Sequence, residues 1–359
     1  MKYSETISNS NKEKATFKCT WVLAIFLGVF VFTACSESST DFSMDDSQID
    51  ASEGHLTELT LLQPEEPIII DAISGGDTEI AKGRATRAAG NDRGRYNIDF
   101  KYIVPVTPEQ EKVFEDAAAR WERIIINDEP SITGTIPSAF TGFPPAVDGT
   151  LDDIIIEVAL APIDGPGGIL GQAGPRFVRT SNFLPISGLM FFDVDDLAFL
   201  DQLGLFEEVI VHEMGHVLGV GTLWDTQPFF DRNLVEVTAN GPYFSGKKAN
   251  VFWNAEGGTD ELPIEADFGP GTAFSHWDEA TLNNELMTGF LNLGENPLSR
   301  ITAGSMRDLG YGSSSVGESY DLPKGTTGIP AKTAGSGEGI DIASKEVLLT
   351  PIGFVNDKK

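Results

Sequence analysis

His212-Glu213-Met214-Gly215-His216 constrains the fold of this chain more than any other stretch, because it holds two of only four histidines in 359 residues. Two imidazoles four positions apart can share one ion only if the segment is helical, since i and i+4 lie one above the other on a helix face. Just upstream, Leu205-Phe206-Glu207-Glu208-Val209-Ile210-Val211 supplies apolar side chains at helical spacing. That spacing predicts a largely buried helix, where polar side chains without partners are costly. Downstream, Gly219 and Gly221 tolerate positive φ and predict the end of the helix and a turn after it. The segment therefore fits two metal-ligating histidines with Glu213 beside the ion as a base, the arrangement of a zinc hydrolase. The alternative is a structural histidine pair.

A catalytic zinc takes three protein ligands and leaves a fourth position for water. The shortest solution, a histidine six residues beyond His216, is closed because position 222 is Thr222. Glu236, 20 residues beyond His216, is one candidate, since some zinc peptidases recruit a glutamate from a following element. The two remaining histidines are His55 and His276. His276 ends the glycine-rich stretch Gly269-Pro270-Gly271-Thr272-Ala273-Phe274-Ser275, able to carry a side chain into a site, and is followed by Glu285-Leu286-Met287-Thr288-Gly289, a tight apolar turn.

Taken together, HEMGHVLGVGTLW, then HWDE, then ELMTG, then Leu298-Ser299-Arg300-Ile301-Thr302 running to Asp308-Leu309-Gly310-Tyr311, the chain resembles a leishmanolysin-type zinc metallopeptidase. This is a metzincin with a long insertion before its third histidine, here 59 residues, 217–275. The resemblance covers roughly residues 96–311. It implies His276 as third ligand, so that Glu236 becomes the runner-up, and Met287 as the residue of the Met-turn, an apolar floor under the ion and not a ligand. The protozoan enzymes of this type are disulfide-rich, whereas this chain has only Cys19 and Cys35, in or next to its leader. Its stability must then come from the core and the metal, and the closer comparison is with bacterial homologues.

The first 18 residues carry Lys2, Lys12, Lys14 and Lys18 against Glu5 and Glu13, and residues 21–32 form an apolar run of 12 without charge. Such a run is too short to span a bilayer but suits a signal peptide. It ends in Phe32-Thr33-Ala34-Cys35, similar to a bacterial lipobox, which implies cleavage before Cys35 and a lipid on it. An ordinary secretory signal with an incidental cysteine is the alternative. The expected location is the bacterial cell envelope, lipid-anchored and facing outward, or secreted if Cys35 is not acylated. The chain has a net charge of −29, and with a leader of net +2 set aside the remainder carries −31. That surface repels nucleic acid and anionic headgroups, so membrane contact is expected through acyl chains alone.

Four regions are expected. Residues 1–35 are the lipoprotein signal. Residues 36–95, rich in Ser, Asp, Glu, Gly and Thr apart from Pro67-Ile68-Ile69-Ile70, are expected to be a disordered tether or pro-segment. Arg84-Ala85-Thr86-Arg87 and Arg93-Gly94-Arg95 are its basic points where a protease could cut. The segment has no cysteine besides Cys35 at its border with which to silence a metal, so any latency must use another ligand, for which His55 is a candidate. Residues 96–312 are the peptidase domain, and residues 313–359 a Gly/Ser-rich tail in which Ser344-Lys345-Glu346-Val347-Leu348-Leu349 is the one expected strand.

Within the domain, Ile98-Asp99-Phe100-Lys101-Tyr102-Ile103-Val104 alternates as a strand, and Pro108 with Glu109 and Glu111 opens a helix whose buried face is Val113, Phe114, Ala117, Ala118, Trp121 and Ile124. Residues 154–160 and 187–193 are expected as buried strands. Between them, Gly167-Gly168-Ile169-Leu170-Gly171-Gln172-Ala173-Gly174-Pro175 suits an edge strand open to an added peptide; in metzincins a strand placed here pairs with extended substrate. Asp193, Asp195, Asp196 and Asp201 fit helix capping better than calcium. Residues 299–309 are expected as a closing helix stopped by Gly310. The fold class is α+β: a twisted mixed sheet over an active-site helix, with a Met-turn and a C-terminal helix.

The chemistry implied is that of one catalytic Zn2+ on His212, His216 and His276, with Glu213 taking a proton from water and returning it to the leaving amine. The expected partners are protein or peptide substrates and a membrane reached through the lipid, with the protein a monomer. The alternative is a catalytically silent, lipid-anchored surface binding protein with a structural zinc. A purely structural site is more often closed by a fourth side chain, and none is evident in the sequence.

Overall fold

The computed structural model describes residues 59–74, 95–269, 271–322 and 339–357. Cys19, Cys35, His55 and the basic points at 84–87 and 93–94 lie outside the described residues. The described chain begins with strands β1 (Ile68–Asp71) and β2 (Ile73–Ser74), followed by β3 (Ile98–Tyr102) and helix α1 (Pro108–Ile124). Strands β4 (Ile132–Ile136), β5 (Val147–Leu151), β6 (Ile154–Leu160), β7 (Gly171–Arg179) and β8 (Pro185–Phe192) lead to helices α2 (Val194–Gln202) and α3 (Phe206–Leu218). After α3 come β9 (Val235–Thr238), β10 (Gly241–Phe244), α4 (Lys247–Glu256), β11 (Leu262–Pro263), α5 (Glu279–Leu282), β12 (Phe290–Asn292) and α6 (Arg300–Leu309). The C-terminal part holds β13 (Gly339–Asp341), β14 (Glu346–Leu348) and β15 (Gly353–Asn356).

The architecture is α+β, as the residue pattern predicts. The main sheet is mixed and runs β1-β15-β7-β8-β6-β3, with β14 also on β7. β6 lies inside the sheet and is buried at all seven positions, as its continuous apolar run requires. Its one charge, Glu157, accepts hydrogen bonds from Ser138 Oγ at 2.8 Å and Lys101 Nζ at 3.2 Å. α1 begins at a capping box between Thr107 and Gln110, which satisfies two donors left free by the first turn. Asp193 caps α2 by accepting from Asp195 N, and Asp195 and Asp196 stand in its first turn, whereas Asp201 lies near its C-terminal end. Among the described residues these aspartates form no metal-holding group.

α3 packs against β7, β8 and α1. Its close approach to the sheet depends on Gly188, where a Cβ would come within 2.2 Å of Val217 Cγ1. Fully buried Trp121 donates from Nε1 to Val211 O at 2.9 Å and pins α1 to the middle of α3. No helix among the described residues is long and apolar enough to cross a membrane.

Two expectations need correction. The tether assigned to residues 36–95 is not uniformly outside the fold: Ile68 to Asp71 pair in parallel with Gly353 to Asn356, and Leu61 bridges Phe140. The cause is the apolar patch. Ile68 and Ile70 pack against a core that includes Ile132, Phe177 and Val355, which a purely compositional average conceals. The tail assigned to residues 313–359 likewise contributes three strands among its described residues, where one was expected. β14 and β15 both run parallel to β7 along its outer side, pairing Glu346 with Gly171 and Gly353 with Phe177. β7 is therefore not an open edge, because the chain's own C-terminal strands cover it.

Candidate metal centre

α3 supplies three of the site's groups from one helix. His212, Glu213 and His216 are all fully buried, as the apolar spacing upstream predicts. Gly215, inside the motif, faces inward as well: a Cβ there would lie 2.7 Å from Met287 Sδ and 2.8 Å from Trp121 Cζ2. The helix ends at Gly219 with φ 110°, and Val220 N then donates to Gly215 O at 2.9 Å, the left-handed stop that glycine permits. Gly221, with φ 73°, allows the next turn to touch the third-histidine segment, where a Cβ would meet Ser275 O at 2.2 Å. Tyr311 caps the helix by donating to Leu218 O at 3.0 Å.

His276 arrives from a different part of the chain and joins the pair. Its neighbour Trp277 points the other way, into the core beside Trp224 at a ring distance of 4.5 Å, with Nε1 on Thr302 Oγ1 at 2.8 Å. Backbone bonds from Trp277 N to Met287 O at 3.0 Å and from Glu265 N to His276 O at 2.9 Å hold this extended pair between two strands of chain.

Each imidazole is oriented by a carbonyl. His212 Nδ1 contacts Leu286 O at 2.8 Å, His216 Nδ1 contacts Val220 O at 2.9 Å, and His276 Nδ1 contacts Thr272 O at 3.1 Å. A carbonyl can only accept, so each Nδ1 carries a proton, and in the neutral ring each Nε2 is left to present a lone pair. The three Nε2 atoms converge to within 2.9–3.2 Å of one another. Three lone pairs so close repel unless a cation lies among them, and this spacing leaves one point about 2.0–2.1 Å from all three nitrogens, the distance zinc requires. Burial first, and the neighbouring His212 and His276 rings second, push His216 down to about 3, against the opposing effect of Glu346. The neutral ring is the form that ligates a metal.

The turn holding Met287 has a direct role in this geometry: it provides the Leu286 carbonyl that orients His212 and the Met287 side chain that packs on Gly215. The turn is anchored by Glu285. Its carboxylate, fully buried, accepts from Met287 N at 2.7 Å, Ser299 Oγ at 2.7 Å and Ser299 N at 3.1 Å, joining the turn to the start of α6. Glu236, the runner-up ligand, stands exposed in β9 opposite Tyr243 and takes no part in the cluster.

One member of the site was not anticipated. Glu346, at the start of β14, completes a buried His212-His216-His276-Glu346 group. One of its oxygens lies 2.9 Å from His276 Nε2, the other 3.5 Å from His212 Nε2 and 3.7 Å from His216 Nε2. Glu213 lies beside it, close enough for the two carboxyls to share a hydrogen bond. Burial alone would raise Glu346, but the His276 and His216 rings outweigh it and hold this carboxyl well below the usual carboxylate range. Glu213 behaves oppositely, since burial and then the charge on Glu346 both push it well up. The sequence signal for Glu346 is faint: a single acid at the start of a short β-prone run in a Gly/Ser-rich stretch.

These donors suit a divalent cation. Three neutral nitrogens and a carboxylate around one point, with a second carboxyl beside it, match zinc better than the oxygen-only sets preferred by calcium or magnesium. Comparison with known proteins agrees. A search of curated proteins gives no match, whereas the family model for leishmanolysin, peptidase family M8, matches residues 126–325, more than half of the chain and the span holding all three histidines. The chain belongs to the leishmanolysin family of metallopeptidases.

Proposed function

We propose that this protein is a zinc-dependent endopeptidase in which His212, His216 and His276 hold the ion and Glu213 is the general base. When bound, zinc supplies Lewis acidity toward water and toward the peptide carbonyl. Glu213 then takes a proton from the attacking water and passes it to the leaving amine, and no covalent intermediate forms on the protein.

The observation that carries this reading is the state of Glu213. It is fully buried, it stands outside the His212-His216-His276-Glu346 group, and the group beside it is the Glu346 carboxyl. A buried carboxyl set against a second acid costs stability, and a purely structural ion site gives no reason to keep one. The competing reading, a structural zinc in a silent binding protein, has Glu346 in its favour as a fourth side chain. It leaves Glu213 unexplained.

The test is hydrolysis of an unfolded protein by the zinc-loaded chain and by Glu213→Ala, with metal content measured on both. Glu213→Ala is expected to keep one zinc and lose cleavage. Retained turnover in that variant sinks the assignment. We further propose, from the apolar run at 21–32 and Cys35, that the protein is lipid-anchored in a bacterial envelope and faces outward. Mass spectrometry of the mature N-terminus tests this: an acylated Cys35 supports the anchor, and an unmodified residue or a cut elsewhere in the leader shows a secreted enzyme.

A further inference from the structure

The C-terminal segment crosses the metal centre from wall to wall. It begins as β13, antiparallel to β12, which follows directly on the Met287 turn. Ile342 N and Ala343 N then both bond to Gly289 O at 3.2 Å. Ala343 is fully buried in a space that exists only because its neighbours lack side chains: a Cβ on Gly271 would lie 2.8 Å from Ala343 O, and one on Gly289 would lie 2.9 Å from Ala343 Cβ. From there the chain passes over the histidines and joins the opposite wall. Leu170 N donates to Lys345 O and Leu349 N donates to Ala173 O, both at 2.7 Å, with β14 between them parallel to β7. At the crossing point Glu346 turns inward, its side chain wholly buried, and brings its carboxylate to within 2.9–3.7 Å of the three Nε2 atoms.

We propose that residues 339–349 are an internal latency segment, with Glu346 as the fourth ligand of the metal and β14 occupying the backbone of β7 that an extended peptide substrate would use. This rests on the peptidase reading above. Three features of the segment fit an inhibitor better than a substrate. The group it offers to the ion is a side-chain carboxylate and not a peptide carbonyl, so no scissile bond is presented. The carboxylate takes the position that water needs, so Glu213 has nothing to deprotonate. Its strand bonds use β7 atoms 171–173, the part of that strand next to the histidines.

Such a segment makes the amount of active enzyme a matter of population, because only molecules in which β14 has left β7 expose the fourth position. The rate observed is then scaled by the fraction open. A chain synthesised with its own occupant in the cleft would be protected from cleaving its neighbours until that occupant is displaced.

The test uses full-length chain loaded with cobalt(II), whose visible absorption reports its ligands, and acetohydroxamate as a small chelating probe. Wild type is compared with Glu346→Ala and with Glu346→Gln, the latter keeping the side-chain volume so that folding is preserved. The expected result is that cobalt absorption differs between wild type and both variants, and that acetohydroxamate changes the spectrum of the variants at concentrations that leave wild type unaltered. Cleavage of unfolded protein by the zinc forms should rise in the variants, by about 10-fold or more if the closed state holds at least nine molecules in ten. The double variant Glu213→Ala/Glu346→Gln should return to background. Identical spectra in wild type and variants, or equal access of the probe to both, overturns the proposal. Changed spectra and opened access with no cleavage in any form leave Glu346 as a ligand and overturn the peptidase reading instead.

Discussion

Helix α3 and the C-terminal segment each deliver a buried glutamate to the same three histidines, and they do so by opposite means. Glu213 is fixed by helical period: its backbone is bonded within α3, and the helix is pinned by Trp121 at its middle and capped by Tyr311 at its end. Glu346 is fixed by strand pairing at the side of a sheet, through a few bonds to β7 and to Gly289 O. Removing Glu213 from the site requires unfolding a helix in the core, whereas removing Glu346 requires only that an added strand peel away. The proposed base is thus a permanent part of the centre, and the proposed fourth ligand a conditional one. Two acids in one pocket differ in lability because one is held by local bonds and the other by distant ones.

The largest expected effect separates the two acids directly. Glu213→Gln should lower kcat/KM for an unfolded protein substrate by ~10²–10⁴ with metal content unchanged, the usual worth of a positioned general base. Glu346→Gln should raise it. The comparison fails if both substitutions lower the rate. Next in size is His276→Ala, which should weaken metal binding by more than the ~10–100-fold lost when only an outer partner of a ligand is removed. Glu236→Ala, exposed in β9, should leave affinity unchanged in the same titration; the reverse ranking would require a different third ligand.

What the sequence disclosed follows the same division. The HEMGH helix, the opening of α1 at Pro108, the buried run of β6 and the close of α6 between Ser299 and Gly310 all depend on residues within a turn or two of one another. Periodicity and cap chemistry report such elements. His276 lies 60 residues from His216, and the bare residues left Glu236 open as an alternative; the family resemblance favoured the histidine. Glu346, a further 70 positions on, was missed because nothing local marks it. Its place is set by the register of β14 on β7, and a three-residue strand carries almost no periodic signal. The same cause explains β1, whose apolar patch was visible but whose partner, β15, is 285 residues away.

Two glycines sharpen the contrast at moderate cost. In an ordinary helix, alanine is favoured over glycine by about 1 kcal/mol. At Gly215 the new methyl would press on Met287 and Trp121, and overpacking a rigid core costs about 1–3 kcal/mol, so Gly215→Ala should lower Tm and weaken metal binding with it. At Gly289 the methyl would press on Ala343 and Thr272, and Ala343 belongs to the segment that can yield. Gly289→Ala should therefore raise cleavage with a smaller loss in Tm. Equal losses of Tm, without any gain in activity, would show that the C-terminal segment is as firmly built in as α3.

The smallest expected effect concerns the wall that both regions lean on. Glu279 opens α5 just beyond His276, with its backbone N on Glu265 Oε2 at 3.2 Å, while Glu265 N bonds to His276 O. One oxygen of the Glu279 carboxyl is buried without a hydrogen-bond donor. Burial, reinforced by the charges of Glu265 and Asp278 and opposed by Thr288, pushes this carboxyl from 4.5 up to about 8. A carboxyl raised in the folded state favours folding while it is protonated. Its contribution is complete below its unfolded value near 4.5 and is lost as pH rises through about 8. Glu279→Gln cannot ionise, so the Tm of the variant minus that of wild type should grow from pH 5 to pH 9. Each tenfold change in proton affinity is worth about 1.4 kcal/mol, and a domain of this size shifts by about 2–4 °C per kcal/mol, so a gap of several degrees at pH 9 is expected. Amide exchange at that pH should show wild type loosening around residues 265–279 while α3 keeps its protection. Loss of protection in α3 first would mean that the helix and the wall open as one unit, and that the division between permanent and conditional parts of the centre lies elsewhere.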